Sequence, residues 1–391
     1  MRAVPRAVFV LSASLVLAVF ARPARADDSG NFFVMLGQDT VGAEQYTRTK
    51  DRLDVHQVGR APRVLRRHYT YDFKNGEFTH VSLVATPPGS DTPTQSVDAT
   101  LDGDSLRGEI KTGTNPPVKS AVYLEKGTLV VGGSSPWSAY ESLVPRLMKA
   151  KSDTLGGRMY FIGAGNTDRY LLTKVGKDSV RVSNTHEDVY VFRVDKKGRF
   201  LGSRAVAGTQ KFAIARVEKL DLDAIAASYA AREQSGAGVG VLSPRDSVKV
   251  DNAGGAALMI DYGRPAKRGR TVYGGIVPYG DVWRTGANAA TQFRTDKPLD
   301  FGGTVVPAGF YTLWTLPSAG GWKLIVNSET GQWGTQHKAD KDVFTLDMKV
   351  STLPQVVERF TISVEPSATG GVLNLDWDTT RASIAFTTKT P

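Results

Sequence analysis

Apolar and polar residues alternate one by one through most of this chain, and Gly, Asn-Gly or Asp-Gly breaks the alternation at short intervals. Side chains of a strand point alternately to its two faces, so this pattern gives each strand one dry and one wet face. A helix would need apolar residues spaced near 3.6 instead. Residues 69–86, YTYDFKNGEFTHVSLVAT, read as two strands joined at Lys74-Asn75-Gly76, where Asn-Gly supplies the positive φ of a tight hairpin. SVDATLDGDSLRGEI turns again at Asp102-Gly103, and SVRVSNTHEDVYVFRVDKKGRFLGSRAV gives three more strands, the last two turning at Lys197-Gly198. From Asn31 to Val217 the pattern predicts an antiparallel meander, as a curved sheet or half-barrel.

Two stretches depart from period two. SPWSAYESLVPRLMKAK (135–151) predicts an inserted helix with Ser138 as N-cap. Leu143, Leu147 and Met148 would face the sheet over an apolar cavity, and Pro145 would bend or restart the helix. LDLDAIAASYAARE (220–233) predicts a linking helix capped by Asp221, with Leu222, Ile225 and Tyr229 on one face. QSGAGVGVLSP (234–244) follows as a Gly-rich boundary; its glycines lack the strand–turn–helix setting of a nucleotide loop. Beyond it the chain is again a series of short strands, which predicts a β-sandwich or jelly roll. Trp322, Leu324 and Val326 share a face there, as do Phe360, Ile362 and Val364, and Leu373, Leu375 and Trp377. The expected organisation is all-β: a leader at 1–26, a half-barrel-like domain at 27–219, a helix and linker at 220–242, and a sandwich at 243–391.

The leader is read from a basic start, an apolar run from Ala7 to Ala21 and an Ala-Arg-Ala end before Asp27. These are the parts of a secretory signal peptide, with cleavage expected after Ala26; N-terminal sequencing of exported protein checks this. The run is short for a bilayer span, and no later segment is apolar enough for one. The expected location is periplasmic or secreted. The formal charge is +10, and without the leader 45 basic residues stand against 39 acidic ones. The excess lies in the N-terminal part, with a cluster at Arg60, Arg63, Arg66 and Arg67. No nucleic-acid recognition motif accompanies it, so a hydrophobic or anionic envelope ligand is the expected partner. The chain has no Cys, which excludes disulfides, lipid-attached cysteine and thiolate metal sites.

Catalytic signatures are not found. The five His (His56, His68, His80, His186, His337) show neither H-x-H nor H-E-x-x-H spacing. There is no G-x-S-x-G, no Ser-x-x-Lys and no P-loop. No cofactor and no metal are expected. Asp376 and Asp378 lie on one strand face, more simply a polar outer face than an acid/base pair. The second part instead concentrates Arg and Trp near turns. Arg offers a planar fork for carboxylate or phosphate, and Trp a stacking wall. In DVWRTGANAATQF (281–293), Trp283 and Arg284 must point to opposite faces; Trp283 is expected inside and Arg284 at a rim. TGQWGTQ (330–336) has a similar make-up. The two loops are expected to meet, with Arg284, Asn288, Gln332 and Trp333 around one polar pocket. Glu358 and Arg381 complete the candidate ligand-binding set, although Glu358 could instead neutralise Arg284.

SPRDSVKV, IDYGRPAKRGRTVYGGIVPYGDVWRTGANAATQFRTDK, VPAGFYTLWTLP, WKLIVNSETGQWGTQHKADKDV, LPQVVERFTISV and LNLDWDTTRASIAF run in order over residues 243–387. They resemble a bacterial family, domain of unknown function 2911. That family often carries Tyr in place of His337 and Glu in place of Asp376. The resemblance implies a secreted β-domain and brings no activity with it. By strand order alone, the N-terminal half loosely resembles the half-barrel of periplasmic lipoprotein carriers, which wraps a helix and holds acyl chains. The leading expectation is therefore a non-enzymatic envelope binding protein. The alternatives are a glycan or peptide hydrolase using carboxylates such as Glu358 and Asp376, and a structural envelope-assembly module.

Overall fold

The computed structural model describes residues 28–132, 137–162, 165–185 and 187–389. The expected leader with its cleavage point, and His186, lie outside the described residues.

The alternating pattern builds two all-β bodies. In the first, fifteen strands pair into one sheet. It begins with β1 (Asp28–Leu36), β2 (Asp39–Arg48), β3 (Arg52–Gly59), β4 (Leu65–Lys74), β5 (Glu77–Thr86) and β6 (Gln95–Asp102), each hydrogen-bonded to the next. The β4–β5 turn is the Asn75-Gly76 pair, with φ of 54° and 81°, as a two-residue hairpin requires. The last strand of the body, Ala213–Val217, pairs antiparallel with β1, so the chain enters and leaves near the middle of the sheet. The two edge strands, Val118–Tyr123 and Leu129–Gly132, are joined by residues 124–128 alone. So short a connection between the edges forces the sheet to curl. Phe32, Val55, Tyr71, Val97, Tyr170 and Phe192, from strands spread across it, meet in one core.

Two short helices fill the concave side: α1 (Trp137–Glu141) and α2 (Val144–Lys149). Pro145 stands at the start of α2 and restarts the helix. Ser138 lies within α1 rather than capping it. The Trp137 and Ser138 N–H groups, which have no partner within the helix, donate instead to the buried carboxylate of Glu44 on β2, each at 2.9 Å. A cap supplied from another strand makes a local one unnecessary. Leu143 and Leu147 are fully buried, as expected, but Met148 is 45% exposed. One residue along a helix turns by about 100°, so Met148 cannot share the face that Leu147 fills. A cavity of about 650 Å³ remains between these helices and the sheet, walled by Leu53, Tyr71, Phe78, Leu101 and Val130.

α3 (Leu222–Gln234) is capped by Asp221, which accepts from the Ala224 N–H at 2.9 Å. It is docked on the first body rather than spanning freely. Ala226 and Tyr229 pack with Val58 and Val64, and the Glu233 carboxylate accepts from the Val64 N–H at 3.1 Å.

In the second body, seven strands from Arg245–Ala253 to Gly370–Thr388 pair in succession, and the hairpin of Leu299–Asp300 and Val305–Val306 extends the far edge. The strand Asp342–Pro366 pairs first with Gly321–Asn327 and then with Gly370–Thr388. It runs through both layers of a sandwich-like core. Trp322, Leu324, Val326, Phe360, Ile362, Leu375 and Trp377 all point into that core, as their alternation dictates.

The two bodies keep separate cores, so cleavage within 235–244 is expected to leave two protease-resistant fragments, and residues 243–391 are expected to fold alone. Mass spectrometry of a limited digest and circular dichroism of the fragment check both; an unfolded 243–391 fragment would refute the division.

Candidate functional site

Trp283 is 8% exposed and sits inside, where its ring stacks on Trp377 at 5.9 Å and meets Phe360 edge-on at 5.0 Å. Its indole N–H donates to the Gly286 carbonyl at 3.1 Å. The chain then turns through Thr285 and Asn288, both at positive φ, and meets the second loop. The Gly334 N–H donates to the Asn288 carbonyl at 2.9 Å, and Ala289 bridges to Trp333. Gly334 is needed at this crossing, because a Cβ there would collide with the Arg284 side chain and the Asn288 carbonyl.

Arg284 lies across that junction, deeper than the rim expected for it. One Nη donates to the Gly334 carbonyl at 3.0 Å, while Nε is buried without a partner. Burial pushes the guanidinium pKa down to about 10, and only the charge of Asp188 works the other way. The cause is the close approach at Gly334, which folds the side chain between the loops.

The candidate residues divide. Arg284 and Asn288 line a cleft of about 570 Å³ between the two bodies. Trp333 lines a smaller cavity of about 310 Å³ whose walls share Trp137, Thr209 and Gln210 with the cleft. Gln332 lines neither; it is buried, its amide donating to Thr312 Oγ1 at 3.0 Å. The loops thus meet, but around two chambers rather than one pocket. Glu358 is not the partner of Arg284: its carboxylate accepts from the Arg268 N–H at 2.8 Å, and its carbonyl from the Trp377 indole at 3.2 Å. Arg381 holds Asp376 in a two-pronged pair at 2.8 and 2.7 Å, and Asp378 binds Lys267 at 2.6 Å. Glu358, Asp376 and Arg381 do not line the cleft. His337 packs against Trp314 and bonds Asp342 at 2.8 Å.

The cleft draws on both bodies, which touch where Asp39 pairs with Arg268 and the Gln38 N–H donates to the Arg268 carbonyl at 3.1 Å. Into it face Arg67 of β4, Lys211 before the strand Ala213–Val217, and Arg270 and Arg284 of the second body. Among the described residues none of these four is ion-paired. Burial and the charges of Arg284 and Arg270 outweigh that of Asp188 and lower the Lys211 pKa; burial likewise lowers Arg67 and Arg270. The one carboxylate on the wall, Glu44, is occupied by the α1 N-terminus and by the Gln57 amide at 2.8 Å. Val34, Val41, Phe212 and Ile276 give the cleft an apolar side. Of the basic cluster read at 60–67, Arg60 pairs with Asp39, Arg66 pairs with Asp223 of α3, and Arg67 reaches the cleft. Arg67, Lys211 and Arg270 carried no local motif and were not singled out individually as ligand contacts; only the strand pairing and the contact between the bodies bring them to Arg284.

Fold and site together define an all-β protein with a cationic cleft between a curled sheet and a sandwich-like domain. Residues 243–386 match the family described as protein of unknown function (DUF2911), and the N-terminal half matches no family. No curated protein and no solved structure matches the chain. Among the described residues no helix is long and apolar enough to cross a membrane.

Proposed function

We infer that this is an exported, non-enzymatic binding protein that holds a small amphipathic anion in the cleft between its two bodies. The observation that carries the reading is the set Arg67, Lys211, Arg270 and Arg284, buried to different depths and, among the described residues, in no ion pair. Asp188 offsets Arg284 and Lys211 only from a distance, so desolvation outweighs it and lowers both; desolvated charge is costly, and a carboxylate or phosphate head group would relieve it. The apolar side of the cleft suits the hydrocarbon of such a molecule. The leader motivates an envelope location. The hydrolase alternative has less support, because Glu358 and Asp376 are engaged in separate bonds away from the cleft.

Dodecanoate and dodecyl phosphate are expected to bind, measured by calorimetry, and a neutral dodecyl glycoside much more weakly. Arg284→Leu is expected to weaken anion binding by about 10–100-fold, the worth of hydrogen bonds to a charged group. It should change the stability of the ligand-free protein by less than about 1 kcal/mol, since relief of a buried charge offsets the lost bonds. Equal binding of the neutral glycoside, or an unaffected Arg284 variant, would sink this reading.

The sign of the pH dependence follows from Lys211. Its pKa is depressed, so it loses its proton below the usual lysine range. A bound anion favours the charged form. Affinity is therefore expected to fall as pH rises into the alkaline range, with proton uptake on binding, and calorimetry in buffers of different ionisation heat reads this.

A second reading rests on the cavity of about 650 Å³ beneath α1 and α2. It would hold an acyl chain inside the first body alone, with Arg48 and Arg146 at its wall. Binding of dodecanoate that survives Arg284→Leu would favour it.

A further inference from the structure

β3 and β4 pair so that His56 stands directly opposite His68, and Asp54 precedes His56 by two residues on the same outer face. The two imidazole rings lie almost parallel, 9° apart, with centroids 4.1 Å from each other. Each turns the same nitrogen, Nε2, to a different oxygen of Asp54, at 3.0 Å in both cases. One ligand atom from each of the three residues lies within 4.8 Å of the other two. The neighbouring residues of these strands that point inward, Leu53, Val55 and Tyr69, are buried in the core, so the strands that carry the cluster are fixed.

We propose that Asp54, His56 and His68 form a binding site for a divalent transition-metal ion such as zinc. Imidazole nitrogen and carboxylate oxygen are what such ions take, at about 2.0–2.2 Å. Small rotations of three half-exposed side chains bring their donor atoms to one centre. The Nε2–H···O contacts exchange for Nε2–metal and O–metal bonds: the proton on each Nε2 is released to solvent, and each neutral ring carries its single proton on Nδ1. Asp54 already turns one carboxylate oxygen to each ring, so all three donors converge. With two His, one carboxylate and an open outer side, the ion keeps positions free for water or an exogenous donor.

His80, on the same sheet face, shows the contrast. Its Nδ1 and Nε2 are both engaged, by Asp72 and Asp98, each at 3.2 Å. It bridges two carboxylates and does not converge with them on one point.

The experiment is calorimetric titration of the tag-free full-length protein with Zn²⁺ alone. One ion per chain is expected, with a rise in melting temperature. His56→Ala and His68→Ala should each weaken binding by about 100-fold, at or beyond the upper end of what even indirect partners of a metal contribute. His80→Ala should leave it unchanged. The substituted side chains are on the sheet surface, so circular dichroism of each variant is expected to match the parent. No uptake of Zn²⁺, or uptake that survives the His56→Ala/His68→Ala double variant, or equal loss in His80→Ala, overturns the proposal.

Discussion

Glu141→Ala is expected to remove about 3–5 kcal/mol of stability, the effect of breaking a buried charge pair from one side. The Glu141 side chain is 5% exposed, and three donors converge on it. The Tyr46 hydroxyl and the Phe200 N–H each donate at 2.6 Å, and Arg216 pairs with the same carboxylate. Arg216 in turn lies over the Phe32 ring at 4.8 Å. Truncation would take the carboxylate from a guanidinium, a hydroxyl and a backbone N–H, leaving the guanidinium the Phe200 carbonyl and the Tyr46 oxygen, the hydroxyl Asp28, and the Phe200 N–H no other side-chain acceptor among the described residues. Glu141→Gln keeps an acceptor for two of these donors and should lose less. Urea unfolding followed by circular dichroism measures both; a loss below about 1 kcal/mol for Glu141→Ala would place the pair among exposed ones.

Trp377→Ala should have a comparable effect on the other body, about 3–5 kcal/mol for a large aromatic removed from a packed core. Trp377 is 1% exposed, and Trp283, Phe360 and Tyr273 surround it with centroids 5.9, 5.9 and 6.3 Å away. Its indole N–H also holds the Glu358 carbonyl, so the carbonyl would lose a donor as the cavity opens. Scanning calorimetry of the ligand-free protein separates the two substitutions. Glu141→Ala should lower one transition and Trp377→Ala the other. A single transition displaced equally by both would show that the bodies do not unfold independently.

Much of the architecture was readable because the turns and faces are local. Asn75-Gly76 dictates a hairpin through its own backbone, and Trp322, Leu324 and Val326 face inward by alternation alone. Trp283 was placed inside by the same rule. Met148 was misplaced because it directly follows Leu147: one residue along a helix turns by about 100°, and the buried side of α2 is taken by Val144 and Leu147 beside Leu143. Ser138 looked like a cap because the true acceptor, Glu44, is 94 residues away from it. The meeting of the loops at 284–288 and 332–334 could be anticipated from their composition, but its result could not. Which side of Arg284 opens to a cavity depends on where Lys211 and Arg67 of the other body lie. His56 and His68 show no metal-ligand spacing in the sequence for a related reason. Spacing rules for metal ligands describe one strand or one helix, whereas this pair exists only through the β3–β4 register.

The cleft has one wall from each body, and this has a thermodynamic consequence. A ligand held there loses its site as soon as either body unfolds, so its binding free energy opposes both events. Two transitions that are separate in the empty protein should then draw together as ligand concentration rises, the less stable one moving more. Occupancy would make the halves cooperative without any new contact between them. A protease that cuts at 235–244 would still leave two folded fragments, but neither would retain the complete cleft.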